Sequence, residues 1–280
     1  MRQSRRGSAF WLLAGFFALF VLFLYGPTLT IVVLSFQGPS GGLTFPMNGV
    51  STHWFANLFE KQMVGDFAGS FQRSMLLGLV VMLVTVVFSF AAGLAFRTRF
   101  RGSAVVFYLA IASLIVPSIL ISLGIGLLFR VLGLDSAWYS SAFGAHLTWT
   151  LPFGLLIMFA VFNRFDRRYE EAARDLGATS WQTIRHVVVP ILLPSLIGVG
   201  LFGFTLSYDE FARSLYTSGT FNTLPLEIYG MTTNVTTPVL YALGTVTTGV
   251  SFLVIALALV STLLVRRRRE RLGSDAGKAT

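Results

Sequence analysis

The sequence predicts an all-α integral membrane protein with six transmembrane helices and both termini in the cytoplasm. Two observations predict this fold class: the chain is too apolar for a soluble core, and its charges cluster between apolar windows. Hydrophobic residues make up 54% of the 280 residues, charged residues only 12%, and the mean hydropathy is +0.73. Since soluble proteins carry about 25% charged residues, we expect the excess apolar surface to face lipid.

Six charge-free windows supply the predicted spans, because a helix crosses the hydrocarbon core with about 20 apolar residues. They cover residues 9–34, 74–96, 104–129, 147–162, 187–206 and 239–265. The first window is too long for a signal peptide and lacks a clear small-residue cleavage site, so we expect a helix. The whole chain, 1–280, is predicted to be a single transmembrane domain with outer loops over 37–72 and 207–238.

The basic residues orient these spans. Of the 21 Lys and Arg residues, 17 lie before the first window, between the second and third, between the fourth and fifth, or after the sixth. Because basic loops stay in the cytoplasm, the termini and a loop over 163–186 are predicted to be cytoplasmic. The net charge of +9 is then a topology signal. We expect membrane lipid as a partner and no nucleic acid.

Prolines and aromatic residues mark local features. Proline removes a backbone donor and kinks helices, and four prolines lie within or beside the third to fifth windows: Pro117, Pro152, Pro190 and Pro194. In the first outer loop, Trp54, Phe55 and Phe59 have roughly helical spacing, which predicts a short interfacial helix. For Trp54, anchoring at the headgroups and contact with a solute are both open.

The segment FDRRYEEAARDLGATSWQTIRHVVVP, between the fourth and fifth windows, predicts two short helices joined by a turn. Asp166 is the expected N-cap of the first helix, and Gly177 is its expected terminator. Thr179 and Gln182 fit a capping box that opens the second helix. This second helix is expected to run into the fifth window past Pro190.

Two adjacent acids, Asp209 and Glu210, follow the fifth window in LSYDEFARSL. On a continuous helix they would point about 100° apart. Asp209 and Arg213 are spaced i, i+4, so an ion pair between them and contact with a solute are alternative interpretations. A helix that starts near Val187 places Asp209 about 33 Å along its axis, at the outer membrane boundary. This position suits an outer gate better than a midplane site.

The sequence argues against an enzyme. It has no cysteine, no G-x-x-x-x-G-K-[ST] motif for nucleotide binding, and no defensible Ser/His/Asp arrangement. His53, His146 and His186 are too scattered to indicate a metal site. We therefore expect no cofactor on this chain. A stand-alone secondary transporter would need ionisable relays or an inverted repeat within the spans, and the windows contain neither.

The loop over 163–186 resembles the EAA motif of bacterial ABC import permeases, E-A-A-x3-G-x9-I-x-L-P. The matching residues are Glu171, Ala172, Ala173, Gly177 and Pro190, and Val187 and Val189 conservatively replace the Ile and Leu of the motif. The resemblance implies a type I ABC importer permease fold in the bacterial inner membrane, with this loop as the coupling helix. It implies a cytoplasmic ATPase dimer that holds ATP and Mg, a second homologous permease subunit, and a periplasmic or lipid-anchored solute-binding protein.

Three further stretches resemble the second permease subunit of spermidine/putrescine-type systems: FPMNGVSTHWFANLF, RTRFRG and SYDEFARSLYTSGTFNTLPLEIY. The resemblance implies a polyamine solute and pathway positions at Ser207, Asp209 and Glu210. We add Tyr208, Trp54 and Ser118 as further pathway candidates. One departure bears on the solute, since Ser118 follows Pro117 where polyamine permeases often carry an acid. Opines, aminobutyrate-like amino acids and other amines therefore stay open as alternatives.

Overall fold

The structure is a computed structural model that describes residues 7–59, 65–98, 100–234 and 237–276. Within those ranges it contains α-helices, one π-helical turn and two isolated β-bridges. The helices are α1 Ser8–Leu34, α2 His53–Asn57, α3 Phe67–Ala95, α4 Ser103–Ala112, α5 Ser118–Val131, α6 Ser141–Asn163, α7 Arg168–Asp175, α8 Ser180–Thr183, α9 Val189–Tyr208, α10 Leu224–Asn234 and α11 Val239–Ala276.

Five of the described helices are long and apolar enough to cross a membrane: α1, α3, α6, the continuous stretch Ser180–Tyr208, and Val239–Ser261 within α11. The six-helix count is not reproduced, because two shorter helices, α4 and α5, occupy the predicted third span. Pro117 is the N-cap of α5 and has no N–H to continue a helix. Ser113, at the end of α4, donates its hydroxyl to the carbonyls of Ala110 and Thr148, both at 2.8 Å.

The helices extend beyond the charge-free windows at several ends. The second window begins at Ser74, but α3 begins at Phe67; the fourth begins at Leu147, but α6 begins at Ser141. A charge-free window ends at the first ionisable residue, whereas backbone hydrogen bonding continues through polar positions. The windows therefore locate the apolar centre of each helix better than its ends.

The chain divides into two compact units, residues 1–66 with 230–250 and residues 67–229 with 251–280. In the first unit, the Gly-rich loop after α1 folds around the fully buried Gln37. The Gln37 amide donates to the Gly42 carbonyl at 3.1 Å and accepts from the Asn48 N–H at 2.8 Å. Tyr241 at the start of α11 donates to the Leu43 carbonyl at 2.5 Å, which fixes this loop against the helix.

In the second unit, α3 packs against both α6 and α9. Small and hydroxylated side chains allow α3 and α6 to approach closely: Thr85 and Thr150 share a buried hydrogen bond of 2.8 Å. A Cβ at Gly154 would lie 2.1 Å from the Ser89 hydroxyl oxygen and 3.0 Å from Thr85 Cγ2, so a larger residue there would force these side chains to move. Such interfaces are typical of membrane helices, which associate through close packing and interhelical hydrogen bonds.

An apolar cluster joins α6 to the start of α9. Its buried members are Met158, Phe162, Val188, Leu192, Leu196 and Val199. Immediately before Pro190 the backbone forms a π-helical turn over Ile184–Val188, in which the Val189 N–H bonds to the Ile184 carbonyl. The wider turn is placed where proline interrupts the α-helical pattern. The short second helix thus continues into the long helix, as the sequence predicts.

Candidate coupling and pathway sites

The first candidate site is the coupling segment, residues 166–190. The prediction that Asp166 caps its first helix is wrong, since the N-cap of α7 is Arg167, which makes no side-chain capping bond. Asp166 instead accepts from the backbone N–H of Arg168 at 3.0 Å in a local Asx-type turn. Hydrogen bonds from the Arg168 side chain, then from its backbone, hold the pKa of this exposed carboxyl below its usual value.

The turn between the two short helices has the predicted construction. Gly177 has a φ of +84°, in the left-handed region that favours glycine. The Ala178 N–H bonds back to the Ala173 carbonyl at 3.0 Å, which closes the end of α7. The capping box is also confirmed, with Gln182 N–H to Thr179 Oγ1 at 3.3 Å and Thr179 N–H to Gln182 Oε1 at 2.8 Å.

The exposure of the EAA-like residues is uneven. Glu171, Ala172 and Gly177 are exposed, and Ala173 is half-buried. Large apolar side chains that the sequence analysis did not single out are exposed beside them, including Leu176 at 89% and Trp181 at 68%. We call the following residues the coupling surface: Tyr169, Glu171, Ala172, Leu176 and Trp181. Exposed apolar side chains grouped around an acid are typical of a protein-binding surface.

The second candidate site centres on Arg213, in the loop after α9. Arg213 is 0% exposed, and its Nη1 donates to Ser118 Oγ at 2.6 Å. Its Nε donates to Thr148 Oγ1 at 3.3 Å, and the guanidinium lies over the Trp149 ring with 4.4 Å to the centroid. Burial lowers the pKa of Arg213 and the nearby Glu210 carboxylate opposes this shift. Arg213 thus connects α5, α6 and the loop through one side chain.

His146 forms a second connection in the same region. It lies in α6, is 1% exposed, and its two ring nitrogens lie 2.8 Å from Ser207 Oγ and 2.9 Å from Ser214 Oγ. The imidazole therefore links the last turn of α9 to the loop that carries Arg213. Ser214 in turn donates to the Glu210 carbonyl at 2.8 Å. Ser207, a predicted pathway residue, is a buried member of this network.

Of the two interpretations left open for Asp209, the ion pair with Arg213 is wrong. Because α9 ends at Tyr208, Asp209 is a C-cap with φ −97° and ψ 5°, and the i, i+4 geometry of a continuing helix is lost. Arg213 instead pairs with Glu210, with 3.7 Å between Nη1 and Oε2. Glu210 Oε1 also accepts the Arg213 backbone N–H at 2.9 Å. One acid of the pair is therefore engaged within the chain.

Asp209 has a different environment. It is exposed, and no ion pair joins it to any other residue in the described part of the chain. Neighbouring protein atoms nevertheless remove part of its hydration, which raises the pKa of this carboxyl. The arrangement leaves one acid at the end of α9 without an ion pair in the described part of the chain.

The remaining pathway candidates have different surroundings. The Tyr208 ring stacks on Phe204 with centroids 5.6 Å apart, and its buried hydroxyl has no hydrogen-bond partner among the described residues. Trp54 belongs to the first unit, where it lies in α2 with its ring edge-on to His53. Its indole N–H is likewise buried without a hydrogen-bond partner in the described ranges. Roles for Tyr208 and Trp54 in a pathway stay predictions.

Sequence analysis did not identify His146, Thr148 or Trp149 as site residues. All three lie near the start of α6, His146 just before the fourth predicted window and Thr148 and Trp149 at its start. The polar residues of the HLTWT stretch at the start of a predicted span were the available signal, because polar groups at such positions need internal partners. Across the residues that the structure describes, no group of three or more His, Cys, Asp or Glu side chains could hold a metal ion.

Comparison with known families decides what this architecture is. Residues 85–272 match the model of the family described as "Binding-protein-dependent transport system inner membrane component". The chain belongs to this family. It is therefore a multi-pass inner membrane protein and the non-catalytic permease component of an ABC transport system. The predicted family, all-helical fold and membrane location are confirmed.

Relatives of known name agree with this assignment. The chain is 30% identical over 261 residues to the spermidine/putrescine transport system permease protein PotC of Haemophilus influenzae, covering 93% of this chain and 98% of that protein. It is 28% identical over 241 residues to the putrescine transport system permease protein PotI of Escherichia coli K12, covering 81% and 82%. Similarity thus extends over 98% of the first permease and 82% of the second.

A solved structure confirms the fold. A chain of a bacterial ABC transporter involved in the import of the acidic polysaccharide alginate superimposes with a TM-score of 0.63. The superposition covers 97% of this chain and 99% of the other at 17% identity. A second alginate transporter structure, in complex with a pentasaccharide-bound periplasmic protein, gives a TM-score of 0.59 at 14% identity. These likenesses establish the permease fold for this chain.

Proposed function

We propose that this permease forms part of the pathway of an ATP-driven importer for spermidine, putrescine or a closely related amine. The names of the relatives at 28–30% identity support a polyamine solute. The structural observation that carries the proposal is Asp209, an exposed carboxylate with no ion pair in the described chain, at the end of α9. A cationic amine is the natural counterpart of such a group.

The importer is powered by a partner ATPase that binds the coupling surface. Tyr169, Leu176 and Trp181 supply exposed apolar area, and Glu171 supplies a charge among them. ATP and Mg belong to that partner, because this chain has no nucleotide-binding motif. A second permease subunit completes the pathway, and a solute-binding protein delivers the amine to the outer side.

A second candidate solute is an amine that also carries a carboxylate, such as an opine or an aminobutyrate-like amino acid. The observation that favours it is the Arg213–Ser118 contact at 2.6 Å. This contact brings a guanidinium to the residue after Pro117, and its positive charge disfavours a polycation there. The two candidates differ in a single property, the presence of an acid group on the solute.

The deciding experiment is purification of this chain with its neighbouring subunits and solute-binding protein in nanodiscs. ATPase activity is then measured with spermidine, putrescine, 4-aminobutyrate and an opine as separate additions. The proposal predicts stimulation by the polyamines. Stimulation by the amino acids alone would select the second candidate, and a preparation without a bound ATPase would contradict the importer assignment.

A further inference from the structure

Arg97, two residues beyond the end of α3, is joined to the coupling segment by a bidentate ion pair. Arg97 Nη1 donates to Glu170 Oε1 at 2.6 Å, and Nη2 donates to Glu170 Oε2 at 2.9 Å. The side chains are 13% and 11% exposed. Parallel bonds of this kind fix orientation as well as distance, because the planar guanidinium matches the carboxylate.

Aromatic rings and a backbone contact hold the same pair. The Arg97 guanidinium lies over the rings of Phe162 and Phe165, at 5.3 and 5.5 Å from their centroids. Arg167, which precedes α7, donates to the Arg97 carbonyl at 3.2 Å. Arg97 after α3 thus binds α7, and Arg167 before α7 binds the backbone after α3. By contrast, the nearby Asp166–Arg168 pair joins residues two apart in the chain and connects no separate elements.

Glu170 is adjacent to Glu171 on the coupling surface, and the two side chains point in different directions. Glu170 is buried against Arg97, whereas Glu171 is exposed. A displacement of α7 by a partner at Glu171 therefore acts on Arg97 without any flexible segment between them. Glu171 is therefore available to a partner, whereas Glu170 binds Arg97 within the chain.

The opposite end of α3 is joined to the loop that carries Arg213. Arg73 Nε donates to the Asn222 carbonyl at 2.7 Å, and the Leu224 N–H donates to the buried Ser74 hydroxyl at 2.8 Å. The Phe71 ring also contacts Tyr208 edge-on, with centroids 6.5 Å apart. From Arg73 to Ala95 the helix extends about 33 Å, and Arg97 follows two residues later, so α3 connects the two candidate sites.

We propose that α3 transmits movement of the coupling segment to the 209–223 loop. Arg97 and Glu170 are the positioning pair that joins α7 to the end of α3 beside the coupling segment. The inference rests on the proposed ATPase partner. A partly buried ion pair contributes little net stability but is sensitive to loss of one member. The pair therefore has its main consequence in coupling, where its fixed geometry makes α7 and α3 move together.

The test uses the complete complex and a label on the loop. Because the chain has no cysteine, Thr220→Cys provides a unique attachment site in this chain for an environment-sensitive dye. ATP-dependent fluorescence, ATPase activity and transport per ATP are measured for Arg97→Glu, Glu170→Arg and the double reversal. Arg101→Glu is the matched control, because it reverses an exposed charge in the same loop between α3 and α4.

We expect each single reversal to reduce the fluorescence response and transport per ATP at least tenfold while the ATPase still co-purifies. The double reversal restores both toward the unsubstituted values, and Arg101→Glu changes neither. If the single reversals fail to assemble, the milder variants Glu170→Gln and Arg97→Lys replace them in the same measurements, with a reduced loop response expected. A normal loop response in the reversals or in Glu170→Gln would overturn the proposal, as would a double reversal no better than the singles. Loss of the ATPase from the unsubstituted complex would instead contradict the proposed function.

Discussion

Arg213 and Ser118 form a 2.6 Å hydrogen bond between residues 95 positions apart. The bond places a guanidinium at the first residue of α5, where the positive end of a helix dipole disfavours a cation. Glu210 pairs with the same guanidinium, and its negative charge compensates for the unfavourable interaction with the helix dipole. The break in the third predicted span, Glu210 and the buried arginine are therefore one connected feature, which does not include Asp209.

Replacement of Arg213 by lysine should destabilise the protein although the charge is kept. A lysine ammonium cannot reproduce the separate Nε and Nη1 bonds to Thr148 and Ser118. Hydrogen bonds to charged groups contribute about 1.5–3 kcal/mol each, so the melting temperature in detergent should fall by several degrees. The exposed Arg130→Lys is the control and should melt like the unsubstituted protein. An unchanged Arg213→Lys would show that the cluster is not structural.

Asp209→Asn should weaken uptake of a cationic solute without loss of stability. The side chain is exposed and unpaired within the described chain, and partial desolvation raises its pKa, so its ionised form is slightly unfavourable in the folded state. We expect an increase of about tenfold in KM, which corresponds to about 1.4 kcal/mol of lost interaction. The melting temperature at neutral pH should stay equal or rise. Uptake and thermal unfolding on the same preparation test both parts.

Asp209 should also determine how uptake depends on pH. Because the pKa of Asp209 is raised, this group becomes protonated at a higher pH than an ordinary aspartate as the pH falls. Solute binding through Asp209 is then lost toward acidic pH. The stability contribution has the opposite sign, since the folded state binds this proton more tightly and loses stability as pH rises through the raised pKa. In Asp209→Asn, this acid limb of the KM profile should disappear.

Gly177 gives a backbone test of the coupling segment. Its φ of +84° is strained for a β-branched residue, whereas no atom lies within 4 Å of a Cβ placed there. Gly177→Val should therefore disturb the turn through backbone strain and reduce solute-stimulated ATPase, while Gly177→Asn, which tolerates this conformation, should keep most of it. Equal activity in both variants would exclude a requirement for the left-handed turn.

Close packing of α3 and α6 predicts a further pair of variants. Gly154→Ala brings a methyl group to 2.1 Å from Ser89 Oγ, and overpacking of this kind costs about 1–3 kcal/mol. Adding Ser89→Ala removes the oxygen and should recover part of the loss in melting temperature. Gly144→Ala in the same helix has open space around the new methyl group and serves as control. A double variant as unstable as Gly154→Ala alone would contradict the close contact.

Local patterns in the sequence predicted the coupling segment well. Thr179, Gln182 and Gly177 act through bonds and dihedral angles within a few residues, so their spacing carries the necessary information. Whether Arg167 or Asp166 is the N-cap depends on the backbone conformation of these two residues, which residue spacing alone does not determine. The prediction therefore succeeded for the turn and failed by one residue at the first helix end.

The pathway site could be predicted only in part, because its partners are distant in the chain. Asp209 and Glu210 were identifiable as acids after an apolar helix, but which acid meets Arg213 depends on where α9 ends. His146 lies 61 residues from Ser207 and 68 from Ser214. No periodic pattern connects such positions, and only the packing of α6 against α9 brings them together.

The most direct test of the importer assignment is spermidine accumulation in proteoliposomes that contain the complete complex and its solute-binding protein. The assignment predicts accumulation that requires ATP in the ATPase compartment and the solute-binding protein on the opposite side, and that Gly177→Val strongly reduces. Accumulation at the same rate without ATP, or without the ATPase subunit, would contradict a permease powered in trans.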